Sequence, residues 1–291
     1  MMNDKNKEIW NIGAIIKWTG QYFSEKGVDN PRLDAEVLLC HILGKDRIYL
    51  YVHFDQPLEP SELTAFREAV KKRAMRLPVA YITGQKEFMG LTFTVTPDVL
   101  IPRPDTEILV EDALARLAIC EQPAILDIGT GSAAIIVSVL KTLPAASGVS
   151  VDISPQALEV ARMNATAHGV IDRLQIKQGD LFAPVNGQRF DAVLSNPPYI
   201  PDGDIAKLEL EVRREPRLAL AGGVDGLDFY RRIISGGASY LNPNGFIAME
   251  VGINQAKDVA ALAEQSLTLR VDSIIKDYAG IDRVVVLVGR E

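Results

Sequence analysis

Apolar residues recur at helical spacing through the first quarter of the chain. They lie three, four or seven positions apart in one run: Ile9, Ile12, Ile15, Ile16 and Phe23. A second helix is predicted to begin at Asn30-Pro31, a capping residue followed by proline in the first helical position, and a third near Ser61. This spacing predicts a small helical bundle over residues 1–77.

After the predicted helical bundle, the spacing of the apolar residues changes from the helical period of about 3.6 residues to a period of two. Residues Leu91–Val95 alternate apolar and polar side chains, and the preceding Phe88-Met-Gly90 supplies a turn. We therefore expect a β-hairpin linker over residues 78–104. A rigid segment rich in proline follows it, and a helix is predicted from Ile108 to about Ala118.

From Ala124 onwards, short apolar runs alternate with helical patterns, one of which begins at Ser154-Pro155 with a serine cap. This order is typical of an α/β fold with a parallel sheet covered by helices on both faces, here over residues 105–291. The predicted strands are Ala124–Ile128, Val149–Asp152, Leu174–Gln178, Asp191–Ser195, Gly245–Val251, Leu269–Ile275 and Arg283–Val288.

Composition narrows the class of protein. Hydrophobic residues make up 47% of 291, enough for a sizeable core, and no apolar run approaches the ~20 residues that span a bilayer. The net charge is −7, and all the excess acidic residues lie after residue 100, which disfavours binding to nucleic-acid phosphates.

The polar N-terminus does not resemble a secretory signal, so we expect a cytoplasmic protein. Its cysteines and histidines lack metal-ligand spacing, and we expect no metal.

The first predicted strand of the α/β region ends in the glycine-containing turn Asp127–Ala133. Glycines between a strand and a helix let the backbone approach a ligand closely. The third glycine of the dinucleotide pattern is missing, because Ala134 occupies its position, and no phosphate-binding Gly-Lys pair follows. Asp152 and Asp180 end the next two strands, where carboxylates can bind a ribose and an adenine amino group. The set fits a cofactor with an adenosine and no phosphate, such as S-adenosylmethionine.

The fourth predicted strand runs directly into Asn196-Pro-Pro-Tyr199. Both prolines restrict the backbone and donate no hydrogen bonds, so the carbonyls here are available to a ligand NH2 group. An amide beside an aromatic ring is a plausible clamp for a flat, nitrogen-bearing group. Taken alone, the tetrapeptide is equally consistent with a turn after a strand.

The order of glycine turn, two acids and Asn-Pro-Pro-Tyr resembles the Rossmann-like amino-methyltransferases. Over essentially its full length the chain resembles the HemK/PrmC family, the N5-glutamine methyltransferases of peptide chain release factors. The segments that carry the resemblance are Ile101–Glu107, Leu126–Ser132, Asn196–Ile200, Glu215–Leu220 and Gly222–Tyr230. It implies a Rossmann-like S-adenosylmethionine-dependent domain with an N-terminal helical domain that recognises the substrate. The implied reaction methylates the glutamine of the Gly-Gly-Gln motif in release factors.

The resemblance and the residues together predict the site. The expected cofactor-binding residues are Gly129, Thr130, Gly131, Ser132, Ala133, Asp152, Asp180, Leu181 and Asn196. The expected catalytic residues are Asn196, Pro197 and Tyr199, and Pro198 and Arg103 join these three in binding substrate. Ala133 departs from the family, which usually has glycine there, and Leu181 stands at a position that is often aromatic.

Three alternatives stay open. An adenine-N6 DNA methyltransferase can use the same clamp on a flipped base, although the acidic catalytic half argues against it. A sister enzyme that methylates a glutamine of a large-subunit ribosomal protein is closer. A catalytically silent binding module is the third. We expect a monomer whose partner is a release factor, with no direct nucleic-acid or membrane contact.

Overall fold

The computed structural model describes residues 10–290; the predictions for Ile9 and for the polar N-terminus lie outside this range. The first part of the described chain is helical, as predicted. Its helices are α1 (Ile12–Glu25), α2 (Pro31–Leu43), α3 (Arg47–Val52), α4 (Pro60–Ala74) and α5 (Val79–Thr83).

Local sequence accounts for where these helices begin. The Asn11 side chain caps α1 by accepting from the Ala14 amide at 2.8 Å, and Pro31 is the first residue of α2. Asn30 occupies the N-cap position of α2 as predicted, and its side chain makes no capping hydrogen bond. The short helices α3 and α5 were not predicted, since one turn or two contain too few apolar positions to show a period.

The predicted hairpin is present. Strands β1 (Gln85–Phe88) and β2 (Leu91–Thr94) pair antiparallel across Met89 and Gly90, which both have positive φ. A two-residue loop of this kind matches the twist of the paired strands. Strand β2 ends at Thr94, one residue before the predicted end at Val95.

The rest of the described chain alternates strands and helices. The strands are β3 (Ala124–Ile128), β4 (Ser147–Asp152), β5 (Leu174–Gln178), β6 (Phe190–Ser195), β7 (Leu241–Glu250), β8 (Leu269–Lys276) and β9 (Asp282–Gly289). The helices are α6 (Glu107–Leu117), α7 (Ala134–Thr142), α8 (Pro155–Ala167), α9 (Asp228–Gly237) and α10 (Ala256–Glu264). Ser154 caps α8 as predicted, through the Ala157 amide.

These strands form one sheet in the order β5-β4-β3-β6-β7-β9-β8. The prediction of a parallel sheet is correct for β3 to β7 and wrong for the edge, where β9 runs antiparallel to both β7 and β8. The reason is the short connection between β8 and β9 at Asp277–Ile281. A connection of that length returns the chain only as an antiparallel neighbour.

Alternate residues of the central strands bury against opposite layers of helices. Ile125, Leu194 and Ala248 belong to one apolar cluster, together with side chains of α6, α7 and α8. Leu126 and Val193, one position along, belong to a second cluster with α9 and α10. Both faces are therefore covered, which explains why these strands read as continuous apolar runs.

Internal contacts divide the chain into two units. The helical unit comprises the chain up to Gly84 together with Leu210–Arg214, and the α/β unit comprises Gln85–Glu209 and Glu215 onwards. The helical unit has its own core, formed around Ile12, Phe23, Leu38 and Phe66. Within residues 10–290, no helix combines the length and apolar character needed to cross a bilayer.

Candidate active site

The carboxyl ends of β3, β4 and β6 and the segment after β5 border one cavity of about 270 Å³ in the α/β unit. Sites in open α/β sheets form at this edge, because the loops that follow the strands meet there. Most of the predicted site residues line it: Arg103, Gly129, Thr130, Gly131, Ser132, Asp152, Asp180, Leu181, Asn196, Pro197 and Pro198. Ala133 and Tyr199 do not.

The turn after β3 passes close under the cavity because two glycines adopt left-handed backbone. Gly129 has φ of 71° and Gly131 has φ of 53°, and a Cβ on either would meet no protein atom within 4 Å. Ala133 also has positive φ, at 62°, but is fully buried in the core beneath the turn. The turn therefore leaves open space above the glycines.

A buried carboxyl lies under the same turn. Asp127 is fully buried, and the Thr130 hydroxyl donates to its Oδ2 atom. Burial raises the pKa of Asp127 to about 7, although the Thr130 hydrogen bond opposes the shift. Asp127 joins the strand end to the turn through this hydrogen bond and is not among the residues that line the cavity.

The two predicted acids lie at neighbouring strand ends on the cavity wall. Asp152 accepts from the Gly131 amide and from the Ser154 amide, each at 2.9 Å, which orients its carboxylate. Asp180 is exposed and forms an ion pair of 2.5 Å with Arg232, another wall residue. Leu181, the next residue, also lines the cavity and has φ of 48°, a left-handed backbone that is unusual for leucine.

The segment Asn196–Tyr199, which we call the clamp, follows directly after β6, the strand next to β3 in the sheet. The Ser195 hydroxyl donates to the Ile128 carbonyl at 2.8 Å, which joins the ends of β6 and β3. The Asn196 side-chain amide donates to the Thr106 hydroxyl at 3.2 Å. The glycine turn and the clamp therefore border the same cavity because their parent strands are neighbours in the sheet.

Tyr199, the last residue of the clamp, packs against the second apolar cluster and does not line the cavity. Its ring belongs to the second apolar cluster and approaches Gly252, where a Cβ would lie 2.9 Å from the ring. Burial, together with the charge of Glu250, raises the pKa of Tyr199 to about 12. The phenol is therefore neutral near pH 7 and cannot serve as a base there.

Arg103 is tied into the cavity wall by an ion pair. Its guanidinium donates to Glu215 Oε1 and to the Ile101 carbonyl, and the Ile101 amide donates to Glu215 Oε2 at 3.0 Å. Glu215 is buried, so its charge needs these donors. Among residues 10–290, no group of three or more His, Cys, Asp or Glu is arranged to bind a metal ion.

Comparison with known proteins identifies the family. The model of the PrmC N-terminal domain matches residues 14–84, and that of the methyltransferase small domain matches residues 104–211. The release factor glutamine methyltransferase of Geobacter sulfurreducens is 51% identical over 96% of both chains. The proteins of the same name from Moorella thermoacetica and Chlorobaculum tepidum are 46% and 41% identical, over 91% and 95% of this chain and 94% and 97% of theirs.

The chain belongs to the release factor glutamine methyltransferase family. Its α/β unit is accordingly an S-adenosylmethionine-dependent methyltransferase domain. The cavity fits that cofactor. Open space lies above Gly129 and Gly131, and two wall carboxylates suit ribose and adenine, with no lysine-bearing phosphate loop.

Membership of the family does not by itself reveal every residue that shapes this site. Thr106, Glu250 and Asn164 were missed by sequence reasoning, although Thr106 lies in a segment that carries the family resemblance. Glu250 ends a buried strand, which is the signal that pointed to Asp152 and Asp180. Asn164 lies inside α8 and bears no comparable signal, because its partners Thr94 and Ser132 are distant in sequence.

Proposed function

We propose that this chain transfers a methyl group from S-adenosylmethionine to the side-chain amide nitrogen of the glutamine in the Gly-Gly-Gln motif of release factors. The observation that carries the proposal is the presence of Asn196, Pro197 and Pro198 on the wall of the cavity that also contains the glycine turn. The names of the related proteins support a release factor as the partner.

The residues proposed to bind the cofactor lie along the turn and the strand ends. Gly129, Thr130, Gly131 and Ser132 would contact its methionine part, and Asp152 its ribose hydroxyls. Asp180 and Leu181 would contact the adenine, and Asn196 the end nearest the methyl group. Ala133 would act through the shape of the turn, since it is fully buried. The cofactor supplies an electrophilic methyl group on a sulfonium.

The chain's own residues would hold the substrate amide in attack geometry. An amide nitrogen is a weak nucleophile because its lone pair is delocalised into the carbonyl. The Asn196 side-chain oxygen and the Pro197 carbonyl would accept its two hydrogens and favour the pyramidal nitrogen that develops in the transition state. A nitrogen–carbon bond forms as the carbon–sulfur bond breaks, and the methylated nitrogen then loses a proton to water.

The remaining predicted residues would shape the clamp. Tyr199 is proposed to fix the approach of the amide by packing under the clamp backbone, a role that suits its half-buried, neutral phenol. Pro198 would restrict that backbone, and Arg103 would form the substrate side of the wall through its pair with Glu215. In the domain assignment that we propose, residues 1–77 recognise the partner, 78–104 link and 105–291 catalyse.

We also propose that the enzyme is a cytoplasmic monomer that does not itself contact nucleic acid. The acidic C-terminal two-thirds of the chain favours a protein substrate over DNA. A glutamine of a ribosomal protein is the second candidate substrate, because the same clamp suits any glutamine side chain.

The deciding experiment is to incubate the protein with S-adenosylmethionine and a release factor, and to locate added methyl by mass spectrometry. We expect one methyl group on the Gly-Gly-Gln glutamine, and none on a release factor in which that residue is replaced by alanine. Transfer to a ribosomal protein or to DNA, with an unmodified release factor, would contradict the proposal.

The role of Asn196 has a separate test. We expect Asn196→Ala to lower the turnover number about 100-fold, because one acceptor of the substrate amide is lost, and to change cofactor affinity much less. Steady-state kinetics and calorimetric titration with S-adenosylmethionine measure the two effects. Equal losses in both would mean that Asn196 chiefly supports the cofactor.

A further inference from the structure

A buried carboxyl lies beside the clamp and has no part in the reaction proposed above. Glu250, the last residue of β7, is 1% exposed, and the Thr106 hydroxyl donates to its Oε2 atom at 2.5 Å. Thr106 is itself buried and also contacts Asn196. These three side chains form a continuous hydrogen-bonded chain from the sheet to the cavity wall.

The direction of these hydrogen bonds determines how the Asn196 amide is oriented. A threonine hydroxyl has one hydrogen and two acceptor lone pairs. Because Thr106 donates its hydrogen to Glu250, its oxygen can only accept from Asn196. The NH2 end of the amide must therefore point towards Thr106. Since the amide carries its oxygen at the opposite end, Asn196 Oδ1 is free to accept from a ligand.

We infer that Thr106 and Glu250 are positioning residues that hold the Asn196 amide with its oxygen available to the substrate NH2 group. The inference rests on the proposed function, in which Asn196 accepts a hydrogen from the glutamine amide. Without the hydroxyl, the two ends of the Asn196 amide have no partner that distinguishes them. The flipped amide would present a donor to a donor and repel the substrate.

The groups around Glu250 determine the pH range in which the Asn196 amide keeps this orientation. The charged and titratable side chains that act on it are Arg283, Asp105, Arg103, Tyr199 and Tyr230. Burial raises the pKa of Glu250 to about 7, opposed by the Thr106 hydrogen bond and by the charge of Arg283. When protonated, Glu250 can donate to Thr106, which frees the threonine hydrogen to reach Asn196 and favours the flipped amide. Turnover should therefore fall as the pH decreases through about 7.

The first test compares Thr106→Val, which keeps the shape but lacks the hydroxyl, with Thr106→Ser, which keeps it. We expect Thr106→Val to lower the turnover number about 10- to 100-fold with unchanged cofactor affinity, and Thr106→Ser to recover most of the loss. Equal impairment of both variants, or none in Thr106→Val, would overturn the inference. Such results would mean that Thr106 acts by packing or not at all.

The second test removes the titrating group with Glu250→Gln, and uses Asp258→Asn on the exposed side of α10 as the charge-matched control. We expect the acidic limb of the pH–rate profile to disappear in Glu250→Gln and to persist in the control. Retention of the limb in Glu250→Gln would contradict the inference.

A spectroscopic readout separates this inference from the proposed function. In protein labelled with 15N-asparagine, the Asn196 side-chain NH2 signal is identified by its absence in Asn196→Ala. We expect it to titrate near pH 7 in the wild type and not in Glu250→Gln. An identical titration in both proteins would refute the inference even where release factor methylation is observed. Failure of the wild type to methylate a release factor would refute only the proposed function.

Discussion

Among single residues, two glycines with the same left-handed backbone have different roles because their surroundings differ. Gly129 and Gly169 have almost the same φ, 71° and 68°, and a Cβ on either would meet no protein atom within 4 Å. Gly129 lines the cofactor cavity, whereas Gly169 follows the last turn of α8 and lies outside the cavity wall. The same backbone requirement thus serves a ligand site in one place and a helix end in the other.

This pair provides a matched test of the cofactor turn. Gly129→Ala and Gly169→Ala should each lower the free energy of unfolding by about 1–2 kcal/mol, the cost of a left-handed alanine. Only Gly129→Ala should also weaken S-adenosylmethionine binding, by about tenfold or more, because its methyl group enters the cavity. Urea denaturation and calorimetric titration measure these quantities. An equal loss of affinity in both variants would show that the effect arises from lowered stability.

At the scale of elements, one asparagine joins three parts of the α/β unit. Asn164 of α8 accepts from the Thr94 amide and donates to the Thr94 and Ser132 carbonyls, at 2.8 to 2.9 Å. The residue is 1% exposed. It therefore links the hairpin, helix α8 and the glycine turn through a single fully bonded amide, which fixes the end of β2 against the cofactor turn.

Asn164→Ala should lower the free energy of unfolding by about 3 kcal/mol, because it removes three hydrogen bonds and leaves buried backbone groups unpaired. The exposed Asn186→Ala is the control and should change stability by less than about 0.5 kcal/mol. Urea denaturation monitored by circular dichroism measures both. A loss below about 1 kcal/mol in Asn164→Ala would mean that water replaces these bonds.

The pattern of the elements also shows where sequence reasoning is reliable. Strands β3 and β5 begin and end at the predicted residues. Strand β3 is a buried apolar run, whereas β5 lies at the sheet edge and alternates apolar and polar residues, and both patterns are visible in the sequence. Strand β7 begins four residues earlier than predicted, at Leu241, because Pro243, Asn244 and Gly245 read as a turn. Strand direction at the sheet edge is absent from the pattern, since apolar spacing is the same in either direction.

At the scale of the whole molecule, a short segment from the α/β half of the sequence belongs to the helical unit. Leu210–Arg214 is grouped with the chain up to Gly84. Glu211 accepts from Arg73 and from Arg76, each at 2.7 Å, and Arg73 also pairs with Asp34 at 2.7 Å. The Arg73 side chain is 6% exposed and that of Glu211 is 14% exposed, so water screens this network poorly.

Glu211→Gln should therefore lower the free energy of unfolding by about 2 kcal/mol at neutral pH, because Arg73 and Arg76 lose a charged partner. Burial opposes ionisation of Glu211, but the hydrogen bonds from Arg76 and Arg73 prevail and lower its pKa. This contribution is present above the unfolded pKa of about 4.3 and is lost as the pH falls. The exposed Glu209→Gln is the control and should be nearly neutral. A constant difference down to pH 3 would exclude a charge effect.

The sequence alone predicts the helical first part, the hairpin, the alternation of strands and helices, and eleven of the residues that line the cavity. These features depend on local periodicity and on the order of strand ends, both of which are written along the chain. Only the three-dimensional structure shows that Tyr199 packs against the second apolar cluster and that β9 runs antiparallel between β7 and β8. It also brings Glu250 to Thr106, 144 positions away in the sequence, and Thr106 to Asn196. Such contacts depend on which strands become neighbours, and no local pattern encodes that.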